Sequence, residues 1–322
     1  MITHGELPNT WLKWFEIEIS SASDRQYANG RQQIEVKVSI QAVLGAELTQ
    51  EQIDSVRIVE VTSDGVFVPL TTASVPNGWW LTTQKNEYDY FPATQQGTVK
   101  GSEQDSSLSP QAEPVHERSF YPVTLAPGGS KKKLWARITK DGDNEYITNA
   151  TFISDVTLTA VALPRFSAIS DYVFDRVLVS GSENSGIFVY EFQLYPINTT
   201  IKSVIMYPEG MIQWDDKSSE EFHASYVGYA GPAEANFRFN EEIVTGPYFE
   251  RVTLVSHNNP GKMTVLLQGA INIPYHSASA NTWNGPCGIS AIDANGNEHQ
   301  LKIRFKGEMG FENRTELTLM DA

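Results

Sequence analysis

The sequence contains very little cysteine. Cys287 is the only one among 322 residues. An intrachain disulfide therefore cannot form, and the cysteine-rich zinc and redox motifs are excluded. The fold must be stabilised by burial of apolar side chains, and the hydrophobic content of 40% is high enough for a folded rather than a disordered chain.

Positive charge is also scarce. Lys and Arg number 24 against 39 Asp and Glu, which gives a formal net charge of −15. A field of that sign repels the phosphates of nucleic acids, so we expect no nucleic-acid partner. The one basic run, the three lysines at residues 131–133, follows a Pro-Gly-Gly turn and is typical of the solvated end of a strand.

Long apolar runs are missing. No uncharged stretch approaches the roughly 20 residues of a membrane helix, and residues 1–15 contain no apolar run of signal-peptide length. We therefore expect a chain that is made in the cytoplasm and has no transmembrane segment. A role outside the cell would require release by a route that the sequence does not encode, such as lysis or a dedicated secretion machine.

Helical periodicity is nearly absent. No long stretch repeats apolar residues with the 3.6-residue period of an amphipathic helix, which argues against α/β folds with parallel sheets. The one helix that we predict covers residues 48–53, because Thr49 can cap it while Gln52 reaches back to the cap.

The pattern that is present has a period of two. From residue 33 to residue 43 apolar side chains such as Val36 and Val38 alternate with polar ones, which predicts a half-buried antiparallel strand. Glu35 falls on the polar face, so we expect its replacement by lysine to be tolerated. Strand patterns of the second half include residues 173–179, 223–229, 236–239, 248–255 and 263–273.

The chain divides near Pro164, where one alternating series ends before another begins at Tyr172. We predict an all-β fold of two antiparallel β-sandwich domains, immunoglobulin-like or jelly-roll-like, at residues 1–164 and 165–322. Residues 82–119 lack periodicity and are interrupted by prolines, so we expect a long loop in the first domain.

One passage carries a family resemblance. Residues 27–38, YANGRQQIEVKV, resemble the opening of bacterial immunoglobulin-like modules, which place a small residue, Asn or Asp and Gly before an alternating strand. The chain departs from that pattern directly afterwards, where the predicted short helix replaces a second Gly-Asn turn. The resemblance implies an adhesive, spacer or assembly role and provides no catalytic residues.

Catalytic motifs are also missing. The sequence has no G-x-S-x-G and no glycine-rich phosphate loop, and no two of its six histidines are spaced as zinc ligands on one strand or helix. We expect neither an enzyme nor a cofactor. A weaker hypothesis makes Cys287 a nucleophile with His276 or His299.

Two turns carry oxygen-bearing residues at alternate positions, as calcium-binding loops do. One contains Asp141 and Asp143, and the other contains Asp293 and Asn295. Neither completes an EF-hand loop, because the bidentate Glu is missing. We interpret both as hairpin turns, with these four residues as weak calcium candidates.

Aromatic residues concentrate in two groups outside the alternating strands. Rings beside amides and carboxylates are typical of protein or sugar recognition, since they bury a large area at low entropic cost. The alternative is that the rings cover the open end of a sandwich. The candidate ligand-binding residues are Trp79, Trp80, Tyr88, Tyr90 and Phe91 in the first group, and Tyr275, Asn281, Trp283 and Asn284 in the second.

These patterns favour a non-enzymatic binding or assembly protein of bacterial or phage origin. It would recognise a protein or surface partner through loops on a β-sandwich scaffold, and it could form a homo-oligomer. One alternative is a carbohydrate-binding protein that uses the aromatic groups. Another is a β-rich toxin that acts on membranes.

Overall fold

The fold is all-β. The computed structural model describes residues 10–92, 113–142, 144–149, 151–214, 222–244, 259–308 and 311–322. It has 51% strand and 5% helix in several antiparallel sheets, which confirms the expected fold class. The chain forms two compact units, residues 1–163 and 164–322.

The first unit consists of two sheets. Its order of strands is β1-β3-β7-β6 in one sheet and β2-β10-β8-β4-β5 in the other, with β9 paired to β8. Only the pairing of β2 with β10 is parallel among these described strands. The elements are β1 (Leu12–Ile19), β2 (Arg25–Tyr27), β3 (Val36–Ala42), α1 (Gln50–Asp54), β4 (Arg57–Val61), β5 (Phe67–Pro69), β6 (Trp79–Thr82), β7 (Val115–Thr124), β8 (Lys131–Asp141), β9 (Asn144–Ile147) and β10 (Val156–Val161).

The core of this unit lies between the two sheets. Val36 and Val38 of β3 are fully buried, as are Leu134 and Ile138 of β8, and all four belong to one apolar cluster. Alternate residues of each strand meet there because side chains of a β-strand point to opposite faces in turn. The period-two pattern therefore identified the buried face of β3 correctly.

The short helix has the cap that the sequence predicts. The Thr49 hydroxyl accepts the backbone N–H of Gln52, and the Gln52 side chain accepts the N–H of Thr49. The Gln52 amide also donates to the Lys140 carbonyl at 2.8 Å. The helix is thus fixed to β8 by the same residue that closes its capping box.

The long loop expected at residues 82–119 is wrong at its end. Residues 115–119 belong to β7, where Ser119 pairs with Lys37 and Val115 with Gln41. These polar residues continue the ladder at the solvated end of the sheet, so they have no alternating apolar signal. Residues 93–112 of the expected loop lie outside the described residues.

The second unit is also built from two sheets. Their strand orders are β11-β12-β16-β15-β14 and β13-β17-β18-β19, all antiparallel. The elements are β11 (Tyr172–Ser182), a 3₁₀ turn (Glu183–Ser185), β12 (Ile187–Pro196), β13 (Ile201–Tyr207), β14 (Met211–Trp214), β15 (Ala224–Ala230), β16 (Met263–Ala270), α2 (Ser277–Thr282), β17 (Cys287–Asp293), β18 (Glu298–Glu308) and β19 (Phe311–Asp321).

Strands β15 and β16 are buried on both faces. One face packs into the core of the sandwich, and the other is covered by Phe237 and Phe239. Phe239 lies so close that a Cβ atom added to Gly228 would approach its ring to 2.5 Å. The strand expected at residues 236–239 is therefore wrong: this segment forms a single bridge, from Arg238 to Tyr229, and acts as a cover. The strand expected at 248–255 lies outside the described residues.

Only short helices occur in the described ranges, and none of them combines the length and apolar character needed to cross a membrane.

A matched pair of lysine substitutions tests the assignment of faces on β3. We expect Val38→Lys to lower the free energy of unfolding by more than about 3 kcal/mol, because it buries an unpaired ammonium. Ser39→Lys introduces the same group beside Glu16 and Glu117 and should stay within about 0.5 kcal/mol of the wild type. Urea unfolding followed by far-UV circular dichroism measures both, and equal losses would contradict the assignment.

Candidate functional site

The tryptophans of the first aromatic group are part of the fold. Trp79 and Trp80 lie on β6 and are only 6% and 7% exposed, and Trp79 packs in the core between the sheets. Phe91 is buried as well and contacts the ring of Tyr27, with a centroid distance of 4.9 Å. All three rings are buried, and they present no open face to a ligand.

The segment that carries Tyr88 and Tyr90 is held by hydrogen bonds to Gln33 and Glu35, which precede β3. The Gln33 amide donates to the Gln84 carbonyl at 3.0 Å and accepts from the Asn86 backbone at 2.8 Å. The Tyr90 hydroxyl donates to Glu35 at 2.9 Å. Burial, followed by this hydrogen bond, raises the pKa of Tyr90 above its ordinary value. Tyr88 is half-buried in the same segment.

These contacts also change the role of Glu35. Its carboxylate accepts hydrogen bonds from Tyr90 and from the Ser119 hydroxyl, both at 2.9 Å. The expectation that lysine is tolerated here overlooked both contacts. A strand pattern shows which face a side chain occupies, but it cannot show that another segment returns to bind it.

The second aromatic group keeps one exposed ring. Tyr275 is 46% exposed, stacks on Phe222 at a centroid distance of 5.6 Å and meets Trp214 edge-on at 5.1 Å. Trp283 is half-buried and packs with Trp214 in a small apolar cluster. Asn281 in α2 and Asn284 after it are exposed. The two aromatic groups belong to separate units of the chain.

Three polar side chains of the second unit, Tyr172, His299 and Asp293, contact one another in series. His299 lies with Nδ1 2.6 Å from the Tyr172 hydroxyl and Nε2 3.2 Å from Oδ2 of Asp293. The second contact does not have the geometry of a hydrogen bond. Asp293 and His299 are each 1% exposed, and Phe166 packs on the imidazole at 4.1 Å. Burial, more than the nearby carboxylates, raises the pKa of Tyr172. Tyr172, His299 and Asp293 are therefore buried inside the sandwich.

The turn that contains Asp293 and Asn295 uses its oxygens internally. Oδ1 of Asp293 accepts the backbone N–H groups of Asn295 and Asn297, both at 2.8 Å, while Oδ2 faces His299. In the other calcium-like turn, Asp141 accepts from the Asn144 side chain, and Asp143 lies outside the described residues. Within the ranges that the structure describes, no three His, Cys, Asp or Glu side chains are grouped as metal ligands.

One exposed apolar surface on a β-hairpin was not singled out by the sequence analysis. We call it the hairpin surface, and it is formed by Val177, Leu178, Val179 and Ile187 of β11 and β12, each between 45% and 53% exposed. β11 is the edge strand of its sheet. Three consecutive apolar residues followed by Ser-Gly-Ser were the available signal, because an ordinary half-buried strand would alternate.

Ion pairs join β11 of this hairpin to its turn and to β19. Arg176 lies 2.9 Å from Glu183 and 3.7 Å from Glu316, and its guanidinium packs over the Tyr190 ring at 4.2 Å. The Tyr190 hydroxyl donates to Glu183 at 2.6 Å. A β-bulge at Val179 interrupts the pairing of β11 with β12. The contacts of Arg176 and Glu183 thus fix the position of the hairpin, while the bulge makes its outer strand β11 irregular.

No family model matches the chain, and no curated protein matches its sequence.

The reactivity of Cys287 tests the packing of the second unit. Cys287 is fully buried at the start of β17, and burial raises the pKa of its thiol to about 12. The thiolate is the reactive form, so we expect no reaction of the native protein with a chromogenic thiol reagent at pH 8. Unfolding in guanidinium should expose one thiol per chain with an ordinary pKa of about 8.5. Rapid reaction of the native protein would contradict this packing and support the hypothesis that Cys287 is a nucleophile.

Proposed function

We propose that this chain is a non-enzymatic binding and assembly protein that associates with a second copy of itself through the hairpin surface. The observation that carries the proposal is the exposure of four apolar side chains on one hairpin, Val177, Leu178 and Val179 in succession on β11 and Ile187 at the start of β12. Exposed apolar patches of this kind on soluble proteins mark interaction sites.

Burial of these side chains supplies the driving force. Full burial of a valine, leucine or isoleucine side chain contributes about 1.5–3 kcal/mol, so covering the exposed half contributes about 1 kcal/mol for each. In a twofold arrangement both copies contribute the same set of side chains. Each of the four side chains is thus buried twice in the interface, once from each copy.

Electrostatics favours this location for a contact between two copies. With a net charge of −15, two copies repel each other over most of their surfaces. Residues 177–182 carry no charge, and the carboxylate that follows them in the chain, Glu183, is paired with Arg176. The hairpin surface therefore brings an uncharged stretch of each copy into contact.

The bulge at Val179 determines the kind of contact. A bulge on an edge strand hinders the addition of another strand by backbone hydrogen bonds. We therefore assign the association to side-chain packing across the hairpins, not to one continuous sheet. The resemblance of residues 27–38 to immunoglobulin-like modules supports an assembly role, and the buried environment of His299 supports a non-enzymatic one.

Light scattering after size-exclusion chromatography tests the association. We expect the wild type to shift from the monomer mass toward twice that mass as its concentration rises, and Leu178→Asp to remain a monomer, because the aspartate would have to be buried opposite its symmetry mate. Leu178 is half-exposed, so the variant should fold with an unchanged far-UV spectrum.

Ile205→Asp is the matched control. Ile205 is also an exposed isobutyl-sized side chain, 63% accessible on the edge strand β13, but it lies outside the hairpin surface. It should associate like the wild type. A wild type that stays monomeric at every concentration, or an equal loss in both variants, would refute the proposal.

A carbohydrate-binding role is the second candidate, and the exposed ring of Tyr275 favours it. Phe222 and Trp214 pack against the Tyr275 ring and hold it in place, as is needed for a ring that stacks on a sugar. Two exposed amides, Asn281 and Asn284, follow in the chain and could supply polar contacts.

A glycan array distinguishes the two candidates. If the Tyr275 ring binds sugar, the wild type should retain specific glycans, and Tyr275→Ala should lose at least about tenfold in affinity, the equivalent of one aromatic anchor. Leu178→Asp should bind the same glycans as the wild type. An array without specific signals would eliminate the carbohydrate candidate.

A further inference from the structure

A cleft of about 390 Å³ opens on the first unit between its two sheets. It lies beside β4 and β5 on one side and β6 and β7 on the other. Its apolar wall consists of Ile58, Leu70, Leu81 and Phe120, which are buried members of these strands and of the segment between them. The volume falls at the lower end of the roughly 300–1,000 Å³ of small-molecule sites.

Two arginines line the same cleft. Nη1 of Arg118 donates to the Ile53 carbonyl and to the Asp54 carboxylate, both at 2.9 Å. Nη1 of Arg57 donates to the Asp54 carbonyl at 2.6 Å and to the Val56 carbonyl at 2.8 Å. Both guanidinium groups therefore lie at the C-terminal turn of α1, where they donate to the backbone carbonyls of this turn and of Val56.

These contacts leave most donors of the two arginines unused. Each guanidinium offers five N–H groups, and within the described residues only Nη1 of Arg57 and Nη1 of Arg118 make hydrogen bonds. The Nε and Nη2 groups of both remain available to a ligand. Arg118 also lies over the ring of Phe120 at 5.9 Å, which places its guanidinium beside the apolar wall.

The charge at the mouth of the cleft is positive, whereas the net charge of the whole chain is negative. The cleft is lined by two guanidinium groups, and only that of Arg118 is paired with a carboxylate, Asp54, so one positive charge is left over in a chain of net charge −15. A cationic rim beside an apolar wall fits a ligand with one negative charge and a hydrophobic body. The hydroxyls of Thr71 and Thr83 lie in the same lining and add neutral hydrogen-bonding groups.

We propose that this cleft binds a small amphipathic carboxylate, with its apolar body against Leu81 and Phe120 and its carboxylate on Arg57 and Arg118. A carboxylate suits the planar guanidinium fork, and a monoanion balances the single positive charge. The site is in the first unit and shares no residue with the hairpin surface of the second, so it is independent of the proposed self-association.

Isothermal titration of the full chain with octanoate tests the site. We expect saturable binding of one octanoate per chain. Octanol has the same chain without the charge, and acetate has the charge without the chain, so each should bind at least about tenfold more weakly. Octanol that binds as well as octanoate would overturn the role of the arginines.

Three variants assign the binding to the cleft. Arg57→Gln and Arg118→Gln should each weaken octanoate binding about tenfold or more. Arg238→Gln is the control, because Arg238 pairs with Glu234 in the second unit and is not a lining residue. If loss of the helix contact unfolds the Arg118 variant, the exposed Arg57 still decides the question.

Two further outcomes would refute the proposal. Octanoate binding that is unchanged in both arginine variants would locate the ligand elsewhere. Inorganic phosphate that binds more tightly than octanoate would show that the site selects an anion without an apolar body.

Discussion

The packing of alternate apolar side chains between two sheets is the constraint on which the rest of the molecule depends. With one cysteine, no disulfide can restrict the unfolded chain, so each unit must gain its stability from burial. In the first unit Val36 and Val38 face Leu134 and Ile138, and in the second Leu194 and Val265 share a core with Ile303. Because every second residue is committed to these cores, function is left to edges, hairpin ends and the openings between sheets.

Polar side chains that become buried are used to fasten segments that have no strand pairing. Asp293 holds its own turn through two backbone N–H groups and faces His299, which in turn contacts Tyr172 at the beginning of the second unit. Glu35 does the same on a smaller scale with Tyr90 and Ser119. A buried polar group without a partner is costly, and most of the polar atoms of these residues have partners inside the protein. Their chemistry resembles that of active sites, but Asp293 and His299 are buried.

The two surfaces proposed for binding occupy the places that the cores leave free. The hairpin surface extends from an edge strand where the pattern of alternation fails, and the arginine-lined cleft opens where α1 and the segment between β5 and β6 approach the gap between the sheets. They differ in chemistry: one offers apolar side chains with no charge, and the other combines an apolar wall with a positive rim. We therefore propose that a single acidic chain joins a second copy at one unit and takes a small anion at the other.

The sequence by itself determined the all-β class, the buried face of β3 and the capped helix at Thr49, because these depend on the periodicity and hydrogen bonding of neighbouring residues. Tertiary structure alone decided that Trp79 and Trp80 are core residues and that Glu35 is engaged. It also decided that residues 236–239 cover a sheet and that Arg57 and Arg118 meet at Asp54. Arg57 and Arg118 are 61 positions apart in the chain. No local pattern encodes such an encounter, since it follows from how the two sheets close over their shared core.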